Sequence, residues 1–464
     1  MRKAKTISDL KTQGYKSISV KEEMRNNLIA KIRNKEPLFA GIIGYEETVI
    51  PQIQNAVLSG QDIVLLGERG QAKSRLIRAL IELLDEEIPF IKGCEINDDP
   101  FNPTCSSCKD LVKKHKGLTP IEWMNRQERY GEKLATPDIT VADLIGEVDP
   151  IKVAEGRYLS DDYTIHYGLI PRSNRGIFCI NELPDLSERI QVGMFNILEE
   201  RDVQIKGYKV NLPLDLCLIA SANPEDYTNR GRIITPLKDR FGAQIKTHYP
   251  QTIEHEIQVM EQEVPKMKGT GININIPMYI KEIIAEFTHL ARKSGDINQR
   301  SGVSVRVSIG NYQTIIANSV RRSLLSGETE ASPRISDMTY MNTSTLGKIE
   351  LESIEDGRES KIVEEIAKRA VLNTFNHYFN LNEFDALIGR FNEGLTIDTG
   401  DMMPSKTIAD WLKDVSDLKS AQKKLKVGRK ISAQASAIEF ILEGLHLSRR
   451  INKDFSSNTV RYRG

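Results

Sequence analysis

The sequence predicts an α/β fold: a parallel sheet flanked by helices, followed by a helical segment and a further, mostly helical C-terminal region. Three observations predict it. Short apolar runs, IVLL at 63–66, IFCI at 177–180 and LCLIA at 216–220, lack the alternation of a half-solvated sheet and read as strands buried on both faces. Each run ends in polar residues or a glycine-bearing turn. Around them apolar residues return at helical spacing, as Val49, Ile53 and Val57 do before the first run and Ile280, Ile283, Ile284, Phe287 and Leu290 after the last.

A chain of 464 residues exceeds what one core supports and predicts about two to four domains. Formal charge is zero with 28% charged residues, so no global field draws the chain to nucleic acid or an anionic membrane. No apolar run approaches the ~18–20 residues that span a bilayer. The start, MRKAKTISDL, is basic but has no apolar leader segment, and five cysteines at this length make no disulfide framework. A cytoplasmic chain is expected.

Residues 1–39 form an N-terminal helical segment in which VKEEMRNNLIAKIRN reads as a solvated helix. The texture changes at Gly41, and residues 40–250 read as the core domain. Ile42 and Ile43 either line an adenine pocket or are ordinary core residues. In IVLLGERGQAKSRLIRAL the strand meets a turn of Gly67, Glu68, Arg69, Gly70, Gln71 and Ala72, then a helix opening at Lys73–Ser74. Backbone N–H groups of such a turn, with the helix N-terminus behind them, hold phosphate oxygens. Lys73 would reach the β- and γ-phosphates of ATP and Ser74 would ligate Mg2+. Ala72 stands where the usual pattern has its last glycine, and its methyl group is tolerated if the local φ is negative. The bland alternative is a strand–turn–helix whose lysine faces water.

Cys105 and Cys108 form a C-x-x-C, with Cys94 upstream and His115 downstream. These four are a candidate tetrahedral zinc set. The gap from Cys94 is unusual, however, and free thiols on a polar loop are the expected state.

The apolar run 176–180 ends in Asn181–Glu182. A nucleoside triphosphatase needs here one group on the magnesium shell and one carboxylate to orient the attacking water. Glu182 suits the second role. Asn181 can accept from a magnesium-bound water but carries no charge. LCLIASANPED reads as an adjacent strand whose end, Asn223, can sense the γ-phosphate. TNRGRIITPLKDRFGAQI supplies Arg230, Arg232 and Arg240 as candidates for a finger reaching a neighbouring subunit's nucleotide, with a surface salt bridge as the bland reading of each.

These motifs, in this order over residues 40–250, resemble an AAA+ ATPase core, in the branch of the magnesium chelatase ATPase subunit and the MoxR-type chaperones. RGIFCINELPDL is similar to that subunit's second motif, SANPED to its third-strand motif and LKDRFG to its arginine-finger segment. Ala72 before Lys73 is similar to the MoxR-type phosphate loop. The resemblance implies Lys73 and Ser74 on phosphate and magnesium, Asn181 and Glu182 as the second-motif pair, Asn223 as first sensor and Arg240 as finger. It also implies an insert around 150–170, six-membered rings assembled on ATP, and a protein client carrying a von Willebrand factor A-type domain. Asn181 departs from the family's aspartate, which bears on hydrolysis rather than binding.

Residues 251–330 read as a helical lid, with Arg306, near a helix start after a Ser–Gly break, as second sensor. Residues 331–464 match no known motif. Their basic stretch from Lys419, including KKLKVGRK, reads as a solvated helix. The sequence thus predicts an ATP-driven motor that remodels a partner protein. Three rivals stand beside it: a true magnesium chelatase subunit, an ATP-binding switch that does not hydrolyse, and a nucleic-acid-dependent motor.

Overall fold

The computed structural model describes residues 3–148, 165–199, 202–203, 212–223, 232–299, 301–352, 358–456 and 459–464. The chain forms two compact units, Met1–His248 and Tyr249–Gly464.

The first unit opens with α1 (Ile7–Thr12), α2 (Val20–Arg33) and α3 (Val49–Ser59), followed by β1 (Ile63–Leu66) and α4 (Lys73–Ala79). Then come β2 (Glu87–Ile91), α5 (Ser106–His115), β3 (Ile121–Asn125), β4 (Tyr130–Leu134), β5 (Gly146–Val148) and β6 (Ile165–Tyr167). The remaining strands are β7 (Gly176–Asn181), β8 (Asp202–Val203), β9 (Leu212–Pro213), β10 (Leu216–Ala222) and β11 (Ala243–Lys246).

Five strands make the central sheet in the order β11-β1-β10-β7-β4, and every pairing is parallel. β10 is buried along its whole length and β7 along all but its last residue, as their unbroken apolar sequences require. Leu66 pairs with Ala222, and Ala220 with Ile180. Residues just past β1, β7 and β10 therefore emerge along one sheet edge, where open α/β sheets bind ligands. β5–β6 and β8–β9 form separate antiparallel pairs outside this sheet. Most of the insert expected around 150–170 lies outside the described residues.

Two features depart from the sequence reading. α2 is not a solvated helix: Val20, Met24 and Leu28 join the core beneath the sheet. Its Glu23 forms a buried bidentate pair with Arg129, both bonds 2.6 Å. Arg129 also donates to the Arg175 carbonyl at 2.8 Å, so the pair fastens α2 to the entrances of β4 and β7. A charge buried on an apolar face is stable only with such a partner. The second departure is β4 itself, YGEKL, which has too few apolar residues to read as a strand and pairs with a single neighbour, β7.

In the second unit, the helices of residues 251–330 and those of 331–464 share one apolar core. Helix Ile431–Leu447 is buried over most of its length. Gly444 lets it meet helix Glu359–Tyr378 closely, since a Cβ there would lie 2.1 Å from the Phe375 ring. Arg322, fully buried, ties the two stretches together, and Arg334, also fully buried, braces the second one internally. Arg322 pairs with Asp337 and donates to the Ser332 carbonyl, and Arg334 donates to the Met403 carbonyl and the Ser405 hydroxyl. Among the described residues no helix is long and apolar enough to cross a membrane.

Candidate nucleotide site

The turn after β1 is held from three directions. Gln71 Oε1 accepts from the Glu68 N–H at 3.1 Å and from the Thr247 hydroxyl at 2.7 Å. Tyr45 donates to the Gln71 and His248 carbonyls at 2.9 and 2.6 Å. Burial pushes the Tyr45 phenol up to about 12, so it stays a donor across the physiological range. A Cβ on Gly67 would lie 1.9 Å from Thr247 Oγ1 and 2.2 Å from Gln71 Oε1, so a side chain there would displace both anchors. Ile42 is buried in the core beside α3, the ordinary reading of that position.

Ala72 is the N-cap of α4 with φ of 55°, in the left-handed region. The condition under which its methyl group would be harmless, a negative φ, is not met. The helix has no side-chain cap, and Ser74 stands exposed in its first turn. Ala72→Gly is expected to raise stability by about 1 kcal/mol, the left-handed penalty of alanine less the entropy glycine loses on folding. Urea unfolding checks this, and a glycine variant less stable than wild type would mean that the methyl group packs favourably.

Lys73 is buried at 7% exposure. Its ammonium donates to the carbonyls of Gly67 and Glu68, the latter at 2.9 Å, and to Asn223 Oδ1. Asn223 in turn donates to Glu182 Oε2 at 2.7 Å. Lys73 at the start of α4, and Asn223 and Glu182 at the ends of β10 and β7, thus form one hydrogen-bonded chain. Glu182 has φ of 55° and ψ of 49°, a strained backbone of the kind that clusters at functional sites.

Asn181 is joined to a carboxylate that the sequence reading missed. Its amide donates to Glu132 Oε1 at 2.6 Å, and its carbonyl oxygen accepts from the Ser221 hydroxyl at 3.1 Å. Glu132 lies on β4, whose register sets it opposite Cys179. Arg78 and Tyr130 donate to its other oxygen at 3.0 and 3.1 Å. The neutral residue at 181 therefore sits against a negative charge on the neighbouring strand. Only recognition of β4 as a strand would have revealed it.

The arginine candidates fall elsewhere. Arg240 ends helix Thr235–Arg240, donates to the Pro236 carbonyl at 2.8 Å and lies 4.4 Å over the Phe195 ring. Arg232 is exposed, and its carbonyl accepts from Gln191 at 3.0 Å. Arg230 lies outside the described residues. Arg306 belongs to the second unit, exposed in the first turn of helix Val305–Leu325, with its N–H donating to Ser304 Oγ at 3.1 Å.

The cysteines are free thiols, but they do not sit on a polar loop. Cys105 and Cys108 are buried at the start of α5. They converge with Cys94 and Asp98, while His115 is exposed at the far end of the same helix.

No family model matches the chain. Among curated proteins it is 26% identical to the magnesium-chelatase subunit ChlI of Nostoc sp. over 347 residues, 69% of this chain and 86% of that protein. It is 28% identical to a ChlI homolog of Methanocaldococcus jannaschii over 238 residues, 48% of this chain and 58% of that one. A structure of the BchI–BchD complex of magnesium chelatase aligns at 18% identity and a TM-score of 0.36, covering 70% of this chain and 98% of that chain. In its parallel sheet, its strand-end residues gathered on one edge and its ChlI relatives, the chain is similar to AAA+ ATPases of the magnesium chelatase type.

Proposed function

We propose that this chain is a magnesium-dependent ATP motor, cytoplasmic and assembled as a six-membered ring, that remodels a partner protein. The observation that carries the reading is the chain Lys73–Asn223–Glu182, which links a phosphate-binding lysine to a base through a sensor side chain. Lys73 exchanges its loop carbonyls and Asn223 for phosphate oxygens, and the N–H groups of residues 67–74 cradle the same phosphates. Asn223, released from Lys73, reports the γ-phosphate to Glu182, which orients the attacking water and takes its proton. Ser74 and the Asn181–Glu132 pair would hold the magnesium ion, which supplies positive charge to the phosphates. Glu132 stands in for the carboxylate missing at 181, which argues against a switch that binds ATP without hydrolysing it. Arg240 serves the neighbouring subunit's site.

The client, by resemblance, is a protein with a von Willebrand factor A-type domain, as for MoxR-type chaperones. A second reading, a magnesium chelatase ATPase subunit proper, is supported by the curated relatives.

The test is steady-state ATP turnover by the full chain, with and without magnesium, beside equilibrium binding of ATP. The expected result is turnover that requires magnesium. Tight binding with no turnover over a wide protein concentration range would sink the motor, and absence of binding would sink the site.

A further inference from the structure

We propose a structural zinc site formed by Cys94, Cys105 and Cys108, with Asp98 as fourth ligand. One ligand atom from each of the four residues lies within 4.8 Å of the other three. A tetrahedral zinc with thiolate bonds of about 2.3 Å sets its ligands about 3.8 Å apart, so closure onto the ion needs only a small contraction.

The surroundings fit ligands rather than spare thiols. Cys94 lies in the turn just after β2, Cys105 is the N-cap of α5 and Cys108 is in its first turn. Two backbone donors already point at sulfur: the Asp98 N–H to Cys94 Sγ at 3.3 Å and the Cys108 N–H to Cys105 Sγ at 3.4 Å. Both bonds, and the positive end of α5, favour thiolate over thiol. Asp98 is fully buried and oriented by its neighbours. Its Oδ2 accepts from the Thr104 and Cys105 N–H groups at 3.0 and 2.9 Å, and its Oδ1 accepts the Thr104 hydroxyl. One lone pair on Oδ1 is left for a metal, and a ligating carboxylate held by outer hydrogen bonds is the usual arrangement.

Three sulfurs this close cannot all ionise unaided. A divalent cation removes the conflict by taking all three as thiolates. Zinc suits a soft, sulfur-rich and closed site.

The ion would act as a brace. Asn174 donates to the Ile96 carbonyl at 3.0 Å and Asn97 to the Arg172 carbonyl at 2.9 Å. The cysteine-bearing loop is therefore clamped to the segment that leads into β7, the strand that ends at Asn181.

The experiment is metal analysis of the full chain, produced without a metal-affinity tag and purified under reducing conditions. About one zinc per chain is expected in wild type, falling below about a tenth in Cys105→Ser. Serine is itself a preferred N-cap, so this variant keeps the helix start while removing a soft ligand. Cobalt exchanged into wild type gives a second reading that needs no variant. Thiolate-to-cobalt charge-transfer absorption with intense tetrahedral bands is expected at one equivalent. Wild type free of zinc, weak octahedral cobalt bands, or zinc retained in Cys105→Ser would each overturn the site. So would a metal-free chain in which two of the three cysteines form a disulfide.

Discussion

Glu182→Gln and Arg240→Ala are each expected to stop most ATP turnover, and an equimolar mixture of the two proteins to recover part of it. Glutamine at 182 keeps the oxygen that accepts from Asn223 at 2.7 Å, so the site keeps its shape and ATP binding survives. What it loses is the proton acceptor, which is worth about 10²–10⁴ in rate. On the proposed reading Arg240 acts on the neighbour, and a finger of this kind is worth about 10³–10⁵. In a mixed ring, the site of an Arg240→Ala subunit still has Glu182, and a Glu182→Gln neighbour still offers Arg240. About a quarter of the interfaces in a random equimolar ring are whole. If Arg240 instead only packs on Phe195, at 4.4 Å, its loss costs the cation–π contact, about 0.5–1 kcal/mol. Mixing would then restore nothing. Turnover of the mixture equal to the mean of the two variants is the result that removes Arg240 from the neighbour's site.

β1, β7 and β10 were legible in the sequence because each is buried on both faces, which leaves an apolar run with a polar end. The phosphate turn, Glu182 and Asn223 stand at those ends, so reading the strands also located them. β4 was not legible. An edge strand has one paired side, and YGEKL is only partly buried, so neither propensity nor periodicity marks it. With β4 went Glu132. Tyr45 and Thr247 escaped for another reason: they hold the turn from chain positions 26 and 176 residues away from Gln71, and no local pattern encodes such bonds. The cysteines were visible but their company was misjudged. His115 lies about two turns of α5 beyond Cys108, some 10 Å along the axis, whereas Asp98 is folded back onto the thiols.

Glu132 also changes what Asn181→Asp should do. An aspartate at 181 looks like a repair, since it restores the family's carboxylate. In this fold it would replace the amide that donates to Glu132 at 2.6 Å with a second acceptor. Two carboxylates at that distance must share a proton or move apart, as like charges in one site do. Asn181→Asp is therefore expected to cost about 1–3 kcal/mol of stability, the penalty for an unsatisfied pair, and not to speed turnover. Glu132→Gln alone leaves position 181 facing no charge, and the magnesium concentration for half-maximal turnover is expected to rise about 10–100-fold, as for loss of an outer partner of a metal ligand. The exchange Asn181→Asp with Glu132→Gln returns one carboxylate facing one amide, in reversed order. It should recover both stability and magnesium requirement, so the two changes should not be additive. Urea unfolding of the four proteins, beside magnesium titrations of their turnover, reads the coupling directly. If Asn181→Asp alone were as stable as wild type and needed less magnesium, Glu132 would have no part in the site and residue 181 would act by itself.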